Sequence, residues 1–405
     1  MAVATITAVP GFRSAGLACG IKDNGIFDLG LLVSDAPCRA AATFTTNKFA
    51  AAPVRVSKEH LARSRGRVRA MVVNSGNANA CTGAAGLRDA RTMCRVTAKL
   101  LGVKEHEVLV ASTGMIGRTL PMDKVLAGIE RAAARLSAGA QAGRDFARAI
   151  LTTDAGTKTA TETYSVDLSK GAGRAQGRVA GAAKGAGMIR PDMATMLAFL
   201  TTDAALPTAR LRRALRDAVA PSFNAITVDG HTSTNDSVFL FSSATTGTSG
   251  NATFEKNFNA ALTDVCKQLA EAIVLDGEGA TKATAVTVTG ARSHAAAERI
   301  ARTVAESPLL RCALFASDPN WGRIVSAVGY AEGVGSVDKL ACAINGTTVF
   351  HKLKPTKFDR NKVARSMRTK RVTITIDLAE GRGSYTVLTS DLTYDYIKCN
   401  AGVPT

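Results

Sequence analysis

Aromatic side chains are scarce in this chain of 405 residues: Phe, Tyr and Trp make up 5%, with a single Trp, so the core must be built from Ala, Val and Leu. The eight cysteines are scattered, with no Cys-x-x-Cys pair and no His at metal-ligand spacing, which argues against a disulfide framework or a structural zinc and for a reducing compartment. Apolar runs are broken by Gly, Ser or charge within about 18 residues, so no membrane span is expected. Met1 to Pro10 hold neither charge nor a long apolar stretch, so the marks of a secretory or transit peptide are missing and a cytoplasmic location is expected. Acidic residues are the minority, 33 against 51 Lys and Arg, for a formal charge of +18. The excess is uneven: residues 1–194 carry 27 basic and 14 acidic side chains, residues 195–405 carry 24 and 19.

Such a charge would suit a nucleic-acid binder or a basic interaction protein. Arg63, Arg65, Arg67 and Arg69 alternate as on one face of a strand, and Lys352 to Arg371 holds nine basic residues against Asp359 alone. Neither stretch is interleaved with stacking aromatics, and no helix-turn-helix, finger or RNA-recognition signature is present. A solvated basic face that steers anionic substrates is the expectation, with neither nucleic acid nor membrane as partner.

What the chain does contain is a segment suited to cutting itself. From Lys184 to Asp203 it reads KGAGMIRPDMATMLAFLTTD: a glycine-spaced lead-in, a small residue followed by threonine, then an abrupt apolar strand. Gly185 and Gly187 help the backbone bend, Ala194 leaves room at its carbonyl, and Pro191 turns Arg190 away from helix. A break between Ala194 and Thr195 would give Thr195 a free α-amine beside its hydroxyl, a nucleophile and base in one residue. By itself the segment reads first as a buried edge strand after a glycine loop, because Ala-Thr is a common dipeptide.

Further motifs occur along the chain: Val73 to Gly83 (VNSGNANACTG), Ser112 to Gly117 (STGMIG), Asp229 to Asp236 (DGHTSTND), Asp276 to Lys282 (DGEGATK) and Ser317 to Arg323 (SDPNWGR). In this order, and together with the segment around Thr195, they resemble the ornithine acetyltransferase family of arginine biosynthesis, also called glutamate N-acetyltransferases. The likeness runs from Gly11 to Thr405.

The resemblance implies an α/β (α+β) fold of two intimately associated lobes, with stacked sheets flanked by helices and an N-terminal threonine nucleophile made by self-cleavage. An α chain, 1–194, and a β chain, 195–405, would stay associated as an α2β2 heterotetramer. The implied reaction moves the acetyl group of N2-acetylornithine to L-glutamate by a ping-pong route, without metal or cofactor. Acetyl-CoA is a second acetyl donor in some members, and the sequence does not show which type this is. Carried over residue by residue, Thr195 is the nucleophile and Thr113 and Gly114 are the oxyanion donors. Thr153, Lys184, Thr195, Glu278, Asn400 and Thr405 bind substrate. Thr152 competes with Thr153, because the proline that follows in the family is absent here. His231 stands where the family has aspartate, either as a titratable group or as a tolerated loop residue. Asp318, Asn320 and Trp321 are expected to organise a loop. A self-processing aminopeptidase or amidase, which would release its acyl group to water, is the alternative.

A coarse reading of pattern places strands over Ala70–Val73 and Glu107–Val110, each ending at a motif. Helices are expected from Thr208 to before Pro221, where Leu211, Leu215 and Val219 recur, and over Phe254–Leu275. Gly171 to Gly187 reads as an exposed, mobile lead-in. Val372 to Leu378 alternates and turns at Glu380 to Gly383 into Ser384 to Thr389, a hairpin with one buried face.

Overall fold

The structure, a computed structural model, describes residues 5–167, 174–190, 196–246 and 252–402. The chain divides into two compact units, the first running through Asn224 and again over His231–Ile273, the second made of Ala225–Gly230 and the residues from Val274 on.

The first unit begins with β1 (Phe12–Leu17), β2 (Leu29–Phe44), α1 (Ala52–Arg63), β3 (Arg67–Asn77), α2 (Gly83–Leu101) and β4 (Val108–Met115). It continues through α3 (Met122–Ala134), α4 (Ala140–Ala149), β5 (Lys158–Asp167), β6 (Arg174–Lys184), β7 (Leu197–Ala204) and α5 (Thr208–Val219). After β8 (Ile226–Thr227), which belongs to the second unit, come β9 (Ser237–Thr246) and α6 (Ala252–Leu275). Among the described residues the sheet order is β4-β3-β2-β9-β7-β6-β5, with β1 added on β2. The pairs β3·β4 and β7·β9 are parallel and the rest antiparallel.

This sheet is apolar on both faces. Met71, Val73 and Leu109 join Phe146, Phe199 and Phe239 on one side, while Val72, Val108 and Val110 join Met93, Val125 and Ile129 on the other. Strands buried on both faces read as continuous apolar runs, as Ala70 to Val73 does. The helix expected after Pro207 is α5, with Leu211, Leu215 and Val219 fully buried. In α6, Phe254, Phe258, Leu262, Val265, Leu269 and Ile273 form the buried stripe.

The expected exposed lead-in is instead largely strand. β6 pairs with β5 and β7, and Val179 to Ala183 are buried. Its small residues let the strand pass close beneath Val265 and Leu269 of α6, so composition that looked loop-like serves packing. The apolar segment after Thr195 is β7, buried along its whole length between β6 and β9, and not an edge. The arginine row is also not one strand: Arg63 ends α1, Arg65 sits in the turn at φ +53°, and only Arg67 and Arg69 lie on β3.

The unit boundaries fall away from position 194. Strands on either side of that position, β6 and β7, are neighbours in one ladder with Lys184 opposite Leu197. A chain break between them would leave β7 and β9 hydrogen-bonded between β6 and β2.

The second unit holds β8, β10 (Ala283–Ala291), α7 (His294–Glu306), α8 (Pro308–Phe315), α9 (Trp321–Gly329), β11 (Ala341–Ile344), β12 (Thr347–His351) and β13 (Lys354–Pro355). It ends with α10 (Arg360–Ser366), β14 (Arg371–Asp377), β15 (Gly383–Ser390) and α11 (Tyr394–Asn400). Its sheet order is β13-β12-β11-β14-β10-β15-β8. Val372, Ile374 and Ile376 face a core shared with α7 and α9, while Arg371, Thr373 and Thr375 are exposed, as their alternation predicts. The expected hairpin is not formed. β10 lies between β14 and β15, parallel to the first and antiparallel to the second. The connection straddles the end of β10, where the Glu380 and Gly381 N–H groups donate to the Gly290 carbonyl at 2.7 and 2.8 Å. Crossing two strand spacings takes about 10 Å, within reach of five residues, so the same pattern fits either pairing.

Candidate active site

Thr113 and Gly114 lie at the end of β4, beside the end of β3. The ladder sets Asn74 opposite Ser112, Ser75 opposite Thr113 and Gly76 opposite Gly114, and becomes irregular at Asn77. Because β4 ends the sheet, its outer backbone needs partners, and α1 supplies them. Ser57 Oγ donates to the Val110 carbonyl at 2.6 Å and accepts from its N–H at 2.8 Å, while His60 Nδ1 lies 2.7 Å from the Val108 carbonyl. On the motif side, Ser112 Oγ donates to Asn74 Oδ1 at 2.6 Å, and Asn235 Nδ2 donates to the Ser112 and Ala78 carbonyls at 2.8 and 2.6 Å. Gly114 has φ +130°, and a Cβ there would lie 2.3 Å from the Gly76 carbonyl carbon, so only glycine allows the two strand ends to meet. Thr113 is 8% exposed, and among the described residues its hydroxyl has no hydrogen-bond partner.

A charged cluster sits in the same unit. Lys184, the last residue of β6, is buried at 7% exposure. The Asp154 carboxylate accepts from the Gly185 N–H at 2.6 Å, from Lys158 Nζ at 2.7 Å and from the Thr152 N–H at 2.9 Å. Both side chains of the Lys158–Asp154 pair are essentially removed from solvent. Burial by itself would raise the Asp154 carboxyl, but Lys184, then Lys158, then the Gly185 N–H hold it well below the usual carboxylate range. Of the two competing threonines, Thr152 is half-buried and tied to Asp154, while Thr153 is exposed.

In the second unit, Glu278 and Asn400 come together although 122 positions apart: Asn400 Nδ2 donates to Glu278 Oε2 at 2.9 Å. The Asp-Gly-Glu-Gly turn makes this possible. Gly279 has φ +66°, and a Cβ there would be 2.3 Å from the Tyr396 N, so the turn docks directly on the start of α11. Thr393 locks the contact, donating to the Gly279 carbonyl at 2.7 Å and capping α11 by accepting from the Tyr396 N–H at 3.1 Å. In the Ser317–Arg323 motif, Asn320 caps α9 and Trp321 stacks on Phe350 at 5.3 Å, which is structural work within this unit.

Ala194, Thr195 and Thr405 lie outside the described residues, and His231 is exposed. Among the described residues no helix is long and apolar enough to cross a membrane, and no three His, Cys, Asp or Glu side chains gather as metal donors. A surface cavity between α5 and α6, lined by Leu206, Arg210, Arg213, Asp217, Glu255 and Asn259, includes none of the expected site residues. Sequence reasoning assigned no role to Asp154, Lys158 or Asn235. Neither contact was readable: an i,i+4 spacing signals an ion pair on a helix, whereas Asp154 and Lys158 meet across the loop between α4 and β5, and the reach of Asn235 to Ser112 left no mark in the sequence.

These observations define an α/β protein of two units whose polar groups gather at strand and helix ends. The ArgJ family model matches residues 13–405. The arginine biosynthesis bifunctional protein ArgJ of Nitratidesulfovibrio vulgaris is 44% identical over 392 residues, covering 96% of this chain and 98% of its own. The protein of that name from Thermobifida fusca is 44% identical over 402 residues, covering 99% and 100%. Among solved structures, the ornithine acetyltransferase of Mycobacterium tuberculosis complexed with ornithine is 40% identical, matches 48% of this chain and 98% of that one, and has a TM-score of 0.43. The chain belongs to the ArgJ family.

Proposed function

We propose that this protein transfers the acetyl group of N2-acetylornithine to L-glutamate, giving ornithine and N-acetylglutamate. The observation that carries the reading is the end-to-end match to the ArgJ family, joined to the strand-end geometry at Thr113 and Gly114. Self-cleavage between Ala194 and Thr195 frees the Thr195 α-amine. The fragments remain associated, supported by the shared ladder of β2, β9, β7 and β6, and two copies of each form an α2β2 assembly in the cytoplasm.

In the reaction, Thr195 Oγ attacks the acetyl carbonyl while the α-amine takes the hydroxyl proton. The negative charge that develops on oxygen is met by the Thr113 hydroxyl and the Gly114 N–H. Breaking the C–N bond, with the proton passed to the departing amine, releases ornithine and leaves an acetyl ester on Thr195. The amine of glutamate then attacks the ester, and the Thr195 oxygen recovers its proton. Lys184 pairs with the α-carboxylate that both amino acids share. Glu278, whose carboxylate accepts from the Asn400 amide, pairs with the cationic end of ornithine, and Thr405 and Thr152 or Thr153 also bind substrate. The bond from Asp154 to the Thr152 backbone favours Thr152 as the better ordered of the two.

The test is to offer N2-acetylornithine with and without glutamate and follow N-acetylglutamate. Product only when both are present supports the transferase, whereas acetate release without glutamate at a comparable rate would make the protein an amidase. The relatives carry "bifunctional" in their names, which favours acetyl-CoA as a second donor, and acetyl-CoA with glutamate alone tests it.

A further inference from the structure

Lys22 reaches the same cluster from a distant part of the chain. The loop that carries it is wound round the buried Asp28 carboxylate, which accepts the N–H groups of Cys19, Gly20, Ile21 and Lys22 at 2.6 to 3.1 Å. Lys22 Nζ donates to the Phe27 carbonyl at 2.8 Å and to the Leu151 carbonyl at 2.7 Å. Its stem runs past Gly76, with Cγ 2.9 Å from where a Cβ on that glycine would stand, and Gly76 is the residue against which Gly114 packs. Lys22 therefore lies where the oxyanion strand ends and the Lys184 cluster meet. Two of its three N–H groups are committed to carbonyls, and among the described residues the third has no partner.

We propose that Lys22 is a second carboxylate-recognising cation beside Lys184, and that Asp154 is the positioning residue that keeps both ammoniums placed and charged. The inference rests on the reading of Lys184 as the α-carboxylate partner. Asp154 is bonded to both backbone segments involved: it accepts from Gly185, next to Lys184, and from Thr152, next to the Leu151 carbonyl that holds Lys22. The charged groups that face one another include Lys22, Lys158, Lys184, Asp28 and Asp154, with Lys124 and Arg131 of α3 donating to the Gly20 and Ala18 carbonyls of the same loop, and the Cys19 thiol is pushed up to about 12 by burial and then by Asp28. Burial, and then the nearness of Lys184, lower the Lys22 ammonium, while Asp28 and Asp154 act to keep it protonated. A carboxylate has two oxygens, and two ammoniums on different segments, the loop between β1 and β2 and the end of β6, also fix its direction.

The experiment compares N2-acetylornithine with its α-carboxamide as donors for the self-processed enzyme, reading the ratio of kcat/KM for the two. Lys22→Gln should reduce the preference for the carboxylate roughly 10- to 100-fold, the worth of a charged hydrogen bond, with Lys22→Arg retaining part of it. Asp154→Asn should lose the same preference as pH rises, at a lower pH than the parent enzyme, because an ammonium without its counter-charge gives up its proton sooner. Asp154→Glu should restore the parent pH profile. If Lys184→Gln abolishes the preference while Lys22→Gln leaves it unchanged, or slows both donors equally, Lys22 is structural and the proposal is overturned. If Lys184→Gln itself leaves the preference intact, the reading of Lys184 fails first. Should Asp154→Asn not fold, Lys22→Gln decides the matter, with its thermal midpoint as the check on folding.

Discussion

Replacing Thr113 by valine separates an oxyanion donor from a residue that merely packs. Val has the shape of Thr with a methyl in place of the hydroxyl. Because the Thr113 hydroxyl has no partner among the described residues, the change breaks no internal hydrogen bond there. At 8% exposure the site also opens no sizeable cavity, so the stability change should stay within about 1 kcal/mol. A donor aimed at a developing oxyanion is worth roughly 2.7 to 4 kcal/mol in the transition state, so kcat should fall about 100- to 1,000-fold. KM for N2-acetylornithine should move little, since the ground-state carbonyl gains much less from the donor. Thr113→Ser, which keeps the hydroxyl, should retain most of the activity. Steady-state kinetics on fully cleaved protein, with thermal midpoints measured alongside, provide the assay. A valine variant within a few-fold of the parent in kcat, or one whose loss appears entirely in KM, would refute the oxyanion role.

Thr195→Ala should yield one uncut chain, and intact mass of the parent protein should instead show two fragments meeting at Ala194 and Thr195; a cut elsewhere rejects the nucleophile. Quenching the enzyme with N2-acetylornithine and no glutamate should leave one acetyl group on the peptide that begins at Thr195, with parallel double-reciprocal lines in kinetics; intersecting lines and no acetyl-threonine would mean direct transfer. Gly279→Ala places a Cβ 2.3 Å from the Tyr396 N at positive φ, so it should destabilise α11 by about 1 to 3 kcal/mol and raise KM for the ornithine substrate; an unchanged thermal midpoint would contradict the docking argument. Asp154 is held below its unfolded-state value near 4, so its share of stability is present above that pH and is lost as pH falls through the depressed folded value; Asp154→Asn should therefore be less stable than the parent at neutral pH and lose less on acidification. An equal acid dependence of parent and variant would count against the buried pair.

Local features were legible wherever the physics is local. The four-residue recurrence of Leu211, Leu215 and Val219 after Pro207 becomes α5, and the two-residue alternation of Val372, Ile374 and Ile376 becomes the buried face of β14, because helix and strand periods are written directly in side-chain polarity. The motifs carried the family, and the runs before Asn74 and Ser112 placed two of them toward strand ends, although β3 and β4 run on through Asn77 and Met115 instead of stopping before the motifs. Pairing was not legible. Alternation says which face of β14 is buried but not which strand lies beside it, so β10 could stand between β14 and β15 without altering the pattern. Small residues in β6 looked like a loose lead-in because composition alone does not distinguish flexibility from close packing.

By itself the sequence determined the family, the nature of the reaction, the helices α5 and α6 and the buried face of β14, all of which depend on residue identity or on neighbours a few positions away. The tertiary structure alone decided which distant groups meet. Lys22, Asp154 and Lys184 converge because the turn after α4, the end of β6 and the loop wound round Asp28 come together in one unit, and Asn400 finds Glu278 because a glycine lets α11 dock on a turn 122 positions earlier. Such meetings follow from loop closure and sheet order, which are properties of the whole folded chain and leave no periodic mark on the segments that take part.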